Sequence, residues 1–259
     1  FIYQEKTTQE ATTSTSYVSQ GTLLDASQMV GGHEYVMVAW VNCTSPGSNA
    51  GGTKFAFEGG AGDIVGSENQ RHDTNGSGQY ICHIGQFTAP SPPQNIGVYR
   101  KIIINNGYSE YTDYGQCFAI DLSYIGASGG LVSGIDYCSS IDTSTRSTNS
   151  NNIIHTHDVA NTGGTTLVLA SSKTYDIVAP TQLGLLVDST LEASGSRYAT
   201  SAYDMKSTPF AIVQNITSGT DIEIKNIDSQ TVTSNYSYVF SLNLDDAPTI
   251  NATGRLSSW

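Results

Sequence analysis

A serine flanked by glycines is the first residue whose surroundings suggest chemistry: Ser128 lies in Gly-Ala-Ser-Gly-Gly at 126–130. A nucleophilic serine on a strand–helix elbow needs a helix after it, and the Leu-Val-Ser-Gly that follows does not predict one. A serine on a β-barrel needs an aspartate before it, plus a histidine and an aspartate from other loops. His33, His72 and Asp121 occur in a suitable order, but alanine precedes the serine. We therefore predict no catalytic residue.

Two histidines two residues apart form the second candidate site, in His155-Thr156-His157-Asp158. On a strand the two imidazoles would face the same side and could bind a divalent metal with a third ligand. No third ligand lies close by in the sequence, so we interpret both as surface histidines in a polar loop. Because calcium-loop spacing and a phosphate-binding glycine loop are also missing, we predict no metal and no cofactor.

Four cysteines, Cys43, Cys82, Cys117 and Cys138, are the remaining reactive side chains. If they were oxidised, three pairings would be open. No Cys-x-x-Cys spacing suggests a zinc ribbon or a redox site. In the internal repeat described below, Cys117 takes the position of Val239, which is typical of a small buried apolar residue. We therefore favour free thiols.

The charge of the chain limits its partners. Its 259 residues carry a formal net charge of −12, with only 11 Lys and Arg. Too few cations are present to neutralise phosphates, so nucleic acid and anionic membrane surfaces are not expected partners. The longest apolar run, Tyr35–Val41, is far shorter than the roughly 18 residues that a membrane-spanning helix needs.

The secondary structure that positions these candidate residues is predicted to consist of strands. The continuous apolar run Tyr35–Val41 predicts a strand buried on both faces. Clusters of Gly, Asn, Ser and Pro separate the predicted strands, and no segment keeps a helical period. Short strands at such spacing predict a sandwich or barrel. The further predicted strands are Lys54–Glu58, Gln79–Phe87, Val98–Asn105, Gln116–Tyr124, Thr165–Ala170, Gln182–Asp188, Phe210–Ile216, Asp221–Ile227 and Tyr236–Leu244.

An internal repeat organises these strands. Phe118–Ser123 aligns with Phe240–Asp245, an offset of 240 − 118 = 122 residues, and both segments alternate between apolar and polar side chains. This alternation predicts a strand with one face against a core. Further upstream the offset grows by about ten residues, which pairs Tyr35–Ala39 with Leu167–Ser171. The apolar faces are predicted to hold Tyr114, Phe118, Ile120 and Leu122 in one copy and Tyr236, Phe240, Leu242 and Leu244 in the other.

The repeat predicts an all-β protein of two tandem antiparallel β-sandwich, jelly-roll-like domains. The first sandwich spans 1–125 and the second spans 146–247. The Gly- and Ser-rich segment 126–145 is predicted to be a linker, and 248–259 a C-terminal tail.

Three segments carry a resemblance to a known group of proteins. They are the Thr/Ser-rich Thr12–Val18, the strand Gly32–Val38 that opens on glycine, and the closing strand Phe118–Leu122. Together they resemble jelly-roll modules of tailed-bacteriophage structural proteins. The resemblance implies a non-enzymatic capsid-decoration, head-fibre or tail-associated subunit on the virion surface. It further implies a homotrimer that contacts a major capsid protein or another virion protein.

Two departures and two alternatives stay open at this point. The chain does not begin with Met and carries four cysteines, which leaves a secreted or envelope-borne origin open. One alternative is an extracellular or cell-surface adhesin or carbohydrate-binding protein, whose 15 Tyr and 2 Trp could bind host-surface glycans by stacking. The other is a glycan-cleaving enzyme on a jelly-roll scaffold.

Overall fold

Strands make up most of the molecule. The computed structural model describes residues 1–44, 50–68, 70–73, 79–104, 107–125, 137–149, 151–160, 163–176, 180–198 and 206–245. In the described part, helix is limited to a 3₁₀ turn at Ala26–Gln28 and one α-helical turn, α1, at Leu122–Ile125. The ten strands predicted from the sequence all overlap strands of the structure.

The first half of the chain forms a sandwich of two antiparallel sheets. Inner sheet 1 has the strand order β1-β9-β4-β7, with β2 also paired to β9, and outer sheet 1 has the order β3-β8-β5-β6. The strands are β1 Ile2–Lys6, β2 Glu10–Thr12, β3 Val18–Leu24, β4 Glu34–Thr44, β5 Ala50–Phe57, β6 Gln70–Asp73, β7 Gln79–Thr88, β8 Ile96–Ile104 and β9 Glu110–Asp121.

The second half repeats this arrangement strand for strand. Inner sheet 2 has the order β10-β18-β13-β16, with β11 also paired to β18, and outer sheet 2 has the order β12-β17-β14-β15. The strands are β10 Tyr137–Asp142, β11 Arg146–Thr148, β12 Ile153–Asp158, β13 Gly163–Asp176, β14 Pro180–Val187, β15 Thr190–Tyr198, β16 Lys206–Thr217, β17 Asp221–Asn226 and β18 Val232–Asn243.

The strand order identifies each half as a jelly roll. When β1 and β2 are counted as one strand, the successive strands of a half form sheets of order 1-8-3-6 and 2-7-4-5. This is the two-sheet jelly-roll arrangement, in which the last strand lies beside the first. The predicted fold class, two tandem antiparallel sandwiches, is confirmed.

Strand pairing fixes the alignment of the two copies. The closing strands β9 and β18 keep the predicted offset of 122, and both copies have a β-bulge at the matching place, between Val41 and Cys43 and between Lys173 and Thr174. Upstream, Val38 lies opposite Phe118 whereas Leu169 lies opposite Phe240, so the offset is 169 − 38 = 131.

The predicted pairing of Tyr35–Ala39 with Leu167–Ser171 is therefore wrong by one residue. A strand that is apolar on both faces carries no alternation with which to set its register, and a one-residue slip exchanges its faces.

Each sandwich has its own core between its two sheets. In the first, Phe55 and Val98 of the outer sheet pack against Met37 and Cys117 of the inner sheet. In the second, Leu185 and Ile224 occupy the corresponding space opposite Val239. Leu23, Leu24 and Tyr35 also belong to the first core, and Val168 and Ala170 also belong to the second.

A third core joins the two sandwiches, and we call it the interdomain core. It contains Val36, Ile84 and Ile120 from inner sheet 1 and Leu169, Tyr236, Tyr238, Phe240 and Leu242 from inner sheet 2. The predicted apolar faces of the closing strands lie here, except for Tyr114, which is exposed. These faces meet the sister domain, whereas Cys117, Ala119 and Val239 on the opposite sides line the core of their own domain. The sheets thus stack as four layers.

Polar contacts reinforce this stack. The Ser171 hydroxyl donates to the backbone oxygen of Ile84 at 2.8 Å, and the Tyr236 hydroxyl donates to the same oxygen at 3.2 Å. Lys173 Nζ donates to the backbone oxygen of Glu68 at 3.0 Å. Since each group is buried or half-buried, losing a partner would leave a polar atom poorly solvated.

The predicted linker needs a correction in its second half. Tyr137–Asp142 is strand β10, an edge strand of inner sheet 2 that pairs with β18 from Tyr137 opposite Leu242 to Asp142 opposite Ser237. Its weak alternation of Ser and Cys concealed the strand in the sequence. Residues 126–136 of the linker and the whole of the tail 248–259 lie outside the described residues.

The interdomain interface should make stability depend on pH through His83. This residue is fully buried, and its ring centroid lies 5.4 Å from that of Tyr236. Burial, with a smaller effect from the charge of Lys173, lowers the pKa of His83 from 6.5 to about 3. The unfolded chain then binds a proton between pH 6.5 and 3 that the folded chain does not, so stability present above pH 6.5 is lost as pH falls.

Each pH unit in that window changes stability by about 1.4 kcal/mol for this one group. We expect urea unfolding at pH 7 and pH 4 to differ by a few kcal/mol more in the native chain than in His83→Phe, where the titrating group is gone. An equal difference in the two proteins would contradict the assignment. Carboxylates titrate in both proteins and therefore cancel in the comparison.

Candidate functional site

The residues considered for serine catalysis are only partly brought together. His33 Nδ1 lies 2.9 Å from Asp121 Oδ2, and the other oxygen of Asp121 accepts the backbone N–H of Tyr124 at 2.9 Å. Asp121 therefore caps α1 while it holds the His33 ring. Ser128 and the side chain of His72 lie outside the described part, so the absence of a catalytic role for Ser128 stays a prediction.

The two histidines of the second candidate site lie on a strand. His155 and His157 belong to β12 and face the same side, as expected for that conformation, but they are only 6% and 3% exposed. Their interpretation as surface histidines in a loop is wrong. The edge strand β12 points them inward, toward β10 and β18 of the facing sheet.

Hydroxyl groups surround these imidazoles, and we call the set the histidine network. Ser140 Oγ lies 2.6 Å from His155 Nε2 and 2.8 Å from His157 Nδ1. Ser237 Oγ is 2.9 Å from His155 Nδ1. Ser241 Oγ is 3.2 Å from His157 Nε2. All four ring nitrogens therefore have a side-chain partner.

The chemistry of the network is that of a satisfied polar core. Burial lowers the pKa of both histidines, that of His157 to about 4, so both rings are neutral at pH 7. Cys138 Sγ lies 3.3 Å from His157 Nε2. Within the described ranges, no three His, Cys, Asp or Glu side chains are placed to hold a metal ion.

The first sandwich shows that the fold does not require this network. By strand register, Cys138 and Ser241 of the second copy replace Ile2 and Ala119 of the first. Both copies form the same sheets, so an apolar edge would also have sufficed.

Ser140 is the shared partner of the network, and its removal has a predictable cost. Ser140→Ala leaves one nitrogen of each buried imidazole without this hydroxyl, so we expect a loss of about 1–3 kcal/mol in unfolding free energy. Urea titration would measure it, with the exposed Ser16→Ala as a control expected to change little. A Ser140 variant as stable as the Ser16 variant would contradict this reading.

The four cysteines are free thiols, as the sequence predicts. Cys43 and Cys117 are fully buried in the first core, and Cys117 lies in the register position of Val239. Burial raises the pKa of the Cys117 thiol to about 12, so it is unreactive at neutral pH. Cys138 differs from them, because it belongs to the histidine network.

A group of three aromatic side chains, two of them exposed and one half-buried, is the most distinctive surface feature, and we call it the aromatic platform. It consists of Trp40 on β4, Tyr80 on β7 and Tyr114 on β9. The Trp40 ring lies edge to face with both tyrosines, at centroid distances of 5.5 Å and 5.4 Å. The two tyrosine hydroxyls are 3.0 Å apart. Tyr80 is 63% exposed and Tyr114 is 38% exposed.

Polar groups border the platform. Gln116 Nε2 donates to Glu5 Oε1 at 3.0 Å, and the Tyr3 hydroxyl donates to the same carboxylate. On another side, Thr44 Oγ1 donates to Asp113 Oδ2 at 3.0 Å. On the side of inner sheet 1 that bears the platform, the described strands carry no Lys or Arg.

The sequence did not reveal the platform because each ring comes from a different strand. The three residues are separated by 40 and 34 positions, and only the order β9-β4-β7 makes them neighbours. The prediction that Tyr114 shares a face with Phe118 is correct. The abundance of tyrosine had pointed to stacking surfaces without locating one.

Comparisons with known proteins give no family. No protein-family model matches the chain, and no curated protein matches it. Three solved structures illustrate the remote likenesses found. A tandem CBM22 domain from Paenibacillus barcinonensis Xyn10C is 9% identical, covers 92% of both chains and has a TM-score of 0.23. The PBSX exported protein XepA is 11% identical over 93% of this chain and 86% of its own, with a TM-score of 0.26.

The third is the VP2 subviral particle of infectious bursal disease virus, 11% identical over 95% of this chain and 73% of its own, with a TM-score of 0.30. Likenesses this low carry no argument about function, and the fold assignment rests on the strand order. In the described ranges, no helix has both the length and the apolar character needed to cross a bilayer.

Proposed function

We propose that this chain is a non-enzymatic structural subunit on the exterior of a virus particle, of the capsid-decoration or fibre type. The observation that supports the proposal is the four-layer stack of two jelly rolls. Inner sheets 1 and 2 bury apolar side chains on both faces, so the two sandwiches form one block. A block of this kind presents fixed surfaces, as a particle subunit requires.

The structure leaves less outward apolar surface for a homotrimer to bury than the sequence predicts. A homo-oligomer is motivated by the outward apolar side chains of Tyr35–Val41 and Ile102–Ile104, whereas the preference for three subunits comes only from the resemblance to phage modules. The interdomain core now accounts for Val36 and Val38, whereas Ile103 stays 42% exposed. We retain a closed homo-oligomer as a proposal, and mass measurement in solution over a range of concentrations tests it. A monomer at every concentration would refute it.

A second candidate function, a carbohydrate-binding or adhesive protein of an extracellular or cell surface, is favoured by the aromatic platform. Antibodies raised against the purified chain separate the two candidates. In immunogold electron microscopy of the source culture, a virion subunit should be labelled on particle exteriors. Label confined to cell envelopes would reject the virion proposal in favour of the second candidate.

A further inference from the structure

We propose that the aromatic platform of Trp40, Tyr80 and Tyr114 is a binding site for an uncharged glycan. The site would take sugar rings against its aromatic faces and sugar hydroxyls on the amide and carboxylate groups at its border. The inference does not depend on whether the chain belongs to a virion or to a cell surface.

The positions of the second copy that match the platform carry fewer aromatic side chains. By register, Trp40 corresponds to Ser171, Tyr80 to Ser207 and Tyr114 to Tyr236. The second copy is therefore aromatic at only one of the three positions. The jelly roll itself does not require three aromatic rings here.

The platform and the matching surface of the second copy also differ in what covers them. Tyr236 is 1% exposed because the first sandwich packs on it: its hydroxyl reaches Ile84, and a Cβ atom at Gly66 would lie 2.2 Å from its ring. The matching Tyr114 is 38% exposed. Thus the covered positions of inner sheet 2 have serines beside the tyrosine, whereas the part of inner sheet 1 that the sister domain leaves exposed has a tryptophan and a second tyrosine.

Exposed aromatic rings such as those of Tyr80 and Tyr114 mark an interaction site. Tyr80, at 63% exposure, gains little from folding because most of its surface stays in water. The rings are nevertheless held in place, since both tyrosines pack edge to face on Trp40 and their hydroxyls bond to each other. A rigid surface of this kind loses little conformational entropy when a ligand binds.

The border of the platform decides the chemistry of the ligand. The Gln116 amide and the Glu5 carboxylate are already oriented by their mutual hydrogen bond, and both can bond to hydroxyl groups. The carboxylate of Asp113, which precedes Tyr114 in the sequence, is a further hydrogen-bond acceptor at the border. Because the described strands carry no cation on this side of the sheet, a sulfated or sialylated ligand would be repelled.

A protein partner fits the same surface less well. The exposed members of the platform and its border are aromatic, amide or carboxylate groups, whereas the centre of a protein interface is depleted in charged residues. A protein partner would have to desolvate the carboxylates of Glu5 and Asp113, although the charge of Lys6 acts on Asp113 from within the chain. Sugar hydroxyls satisfy these groups directly.

Tryptophan fluorescence and titration calorimetry test the site on the full chain. The probes are the neutral oligosaccharides cellohexaose, maltohexaose, xylohexaose and mannohexaose, with sialyllactose as the charged comparison. Trp259 is the only other tryptophan, so a Trp259→Phe background assigns the fluorescence change to Trp40. We expect saturable binding of at least one neutral oligosaccharide, weakened about tenfold or more by Tyr80→Ala.

Tyr124→Ala is the matched control, because Tyr124 is 43% exposed but lies on α1 outside the platform. It should bind as the native chain does. Absence of saturable binding to every neutral probe, or binding that Tyr80→Ala leaves unchanged, would overturn the proposal. So would a concentration-dependent oligomer that Tyr80→Ala dissociates in the absence of any glycan binding. The immunogold result for the structural role is independent of all these outcomes.

Discussion

Replacing Phe240 by alanine is expected to lower the unfolding free energy by about 3–5 kcal/mol. The side chain is fully buried in the interdomain core, and its ring centroid lies 5.9 Å from that of Tyr137. Truncation would leave a cavity between two sheets that are themselves fixed by their own cores, so the site cannot collapse easily. Denaturation in urea, followed by far-ultraviolet circular dichroism, measures the change.

The internal repeat supplies a matched control for this experiment. Phe118 occupies the register position of Phe240 in the first copy, but it is only partly buried at the edge of the interdomain core. Phe118→Ala should therefore destabilise the chain by clearly less than Phe240→Ala. Equal losses, or a loss below about 1 kcal/mol for Phe240→Ala, would mean that the sheet stack contributes little to stability.

Neutralising Glu110 should have an effect of similar size. Its carboxylate pairs with Arg100, both side chains are fully shielded from solvent, and the same guanidinium also donates to the backbone oxygen of Tyr111. Glu110→Gln keeps the shape but removes the carboxylate charge that pairs with the buried guanidinium of Arg100. Breaking such a pair typically costs about 3–5 kcal/mol, and thermal or urea unfolding would detect it.

A double variant shows whether the stability lost in Glu110→Gln comes from the unbalanced charge at this buried position. Arg100→Met combined with Glu110→Leu removes both charges, and a buried apolar pair is often as stable as the ion pair it replaces. We expect the double variant to recover most of the stability lost in Glu110→Gln. If instead the single variant is as stable as the native chain, Arg100 and Glu110 are not desolvated in solution.

Local pattern was enough to predict the fold class but not the layering. The alternation in β9 and β18 revealed two copies and their offset of 122, since each closing strand has one face of large apolar residues. The same pattern could not say that this face meets the sister domain rather than its own core. Both environments exclude water, and a single sequence does not distinguish them.

The alignment of the two copies and the candidate sites could not be fully predicted from the sequence, for related reasons. The predicted alignment of β4 with the equivalent strand β13 is wrong by one residue because both faces of β4 are apolar. The sequence places the histidines in a loop because β12 is a short edge strand, and both its pairing partner β17 and the facing strand β18 come from distant parts of the chain. The platform depends on three strands at once. Each missing element required knowledge of which strands are neighbours.

The position of the closing strand also governs how this chain can fold during synthesis. In the first copy β9 lies between β1 and β4. The hydrogen bonds of β1 therefore cannot form until β9, with Ala119 opposite Ile2, has been synthesised. Such long sequence separations make folding slow. The first jelly roll can close once residue 121 has been made, but its face with Val36 and Ile120 stays uncovered until β18 arrives. The nascent chain thus carries an apolar sheet face through the whole synthesis of the second copy, a period in which it is exposed to aggregation and to chaperone binding.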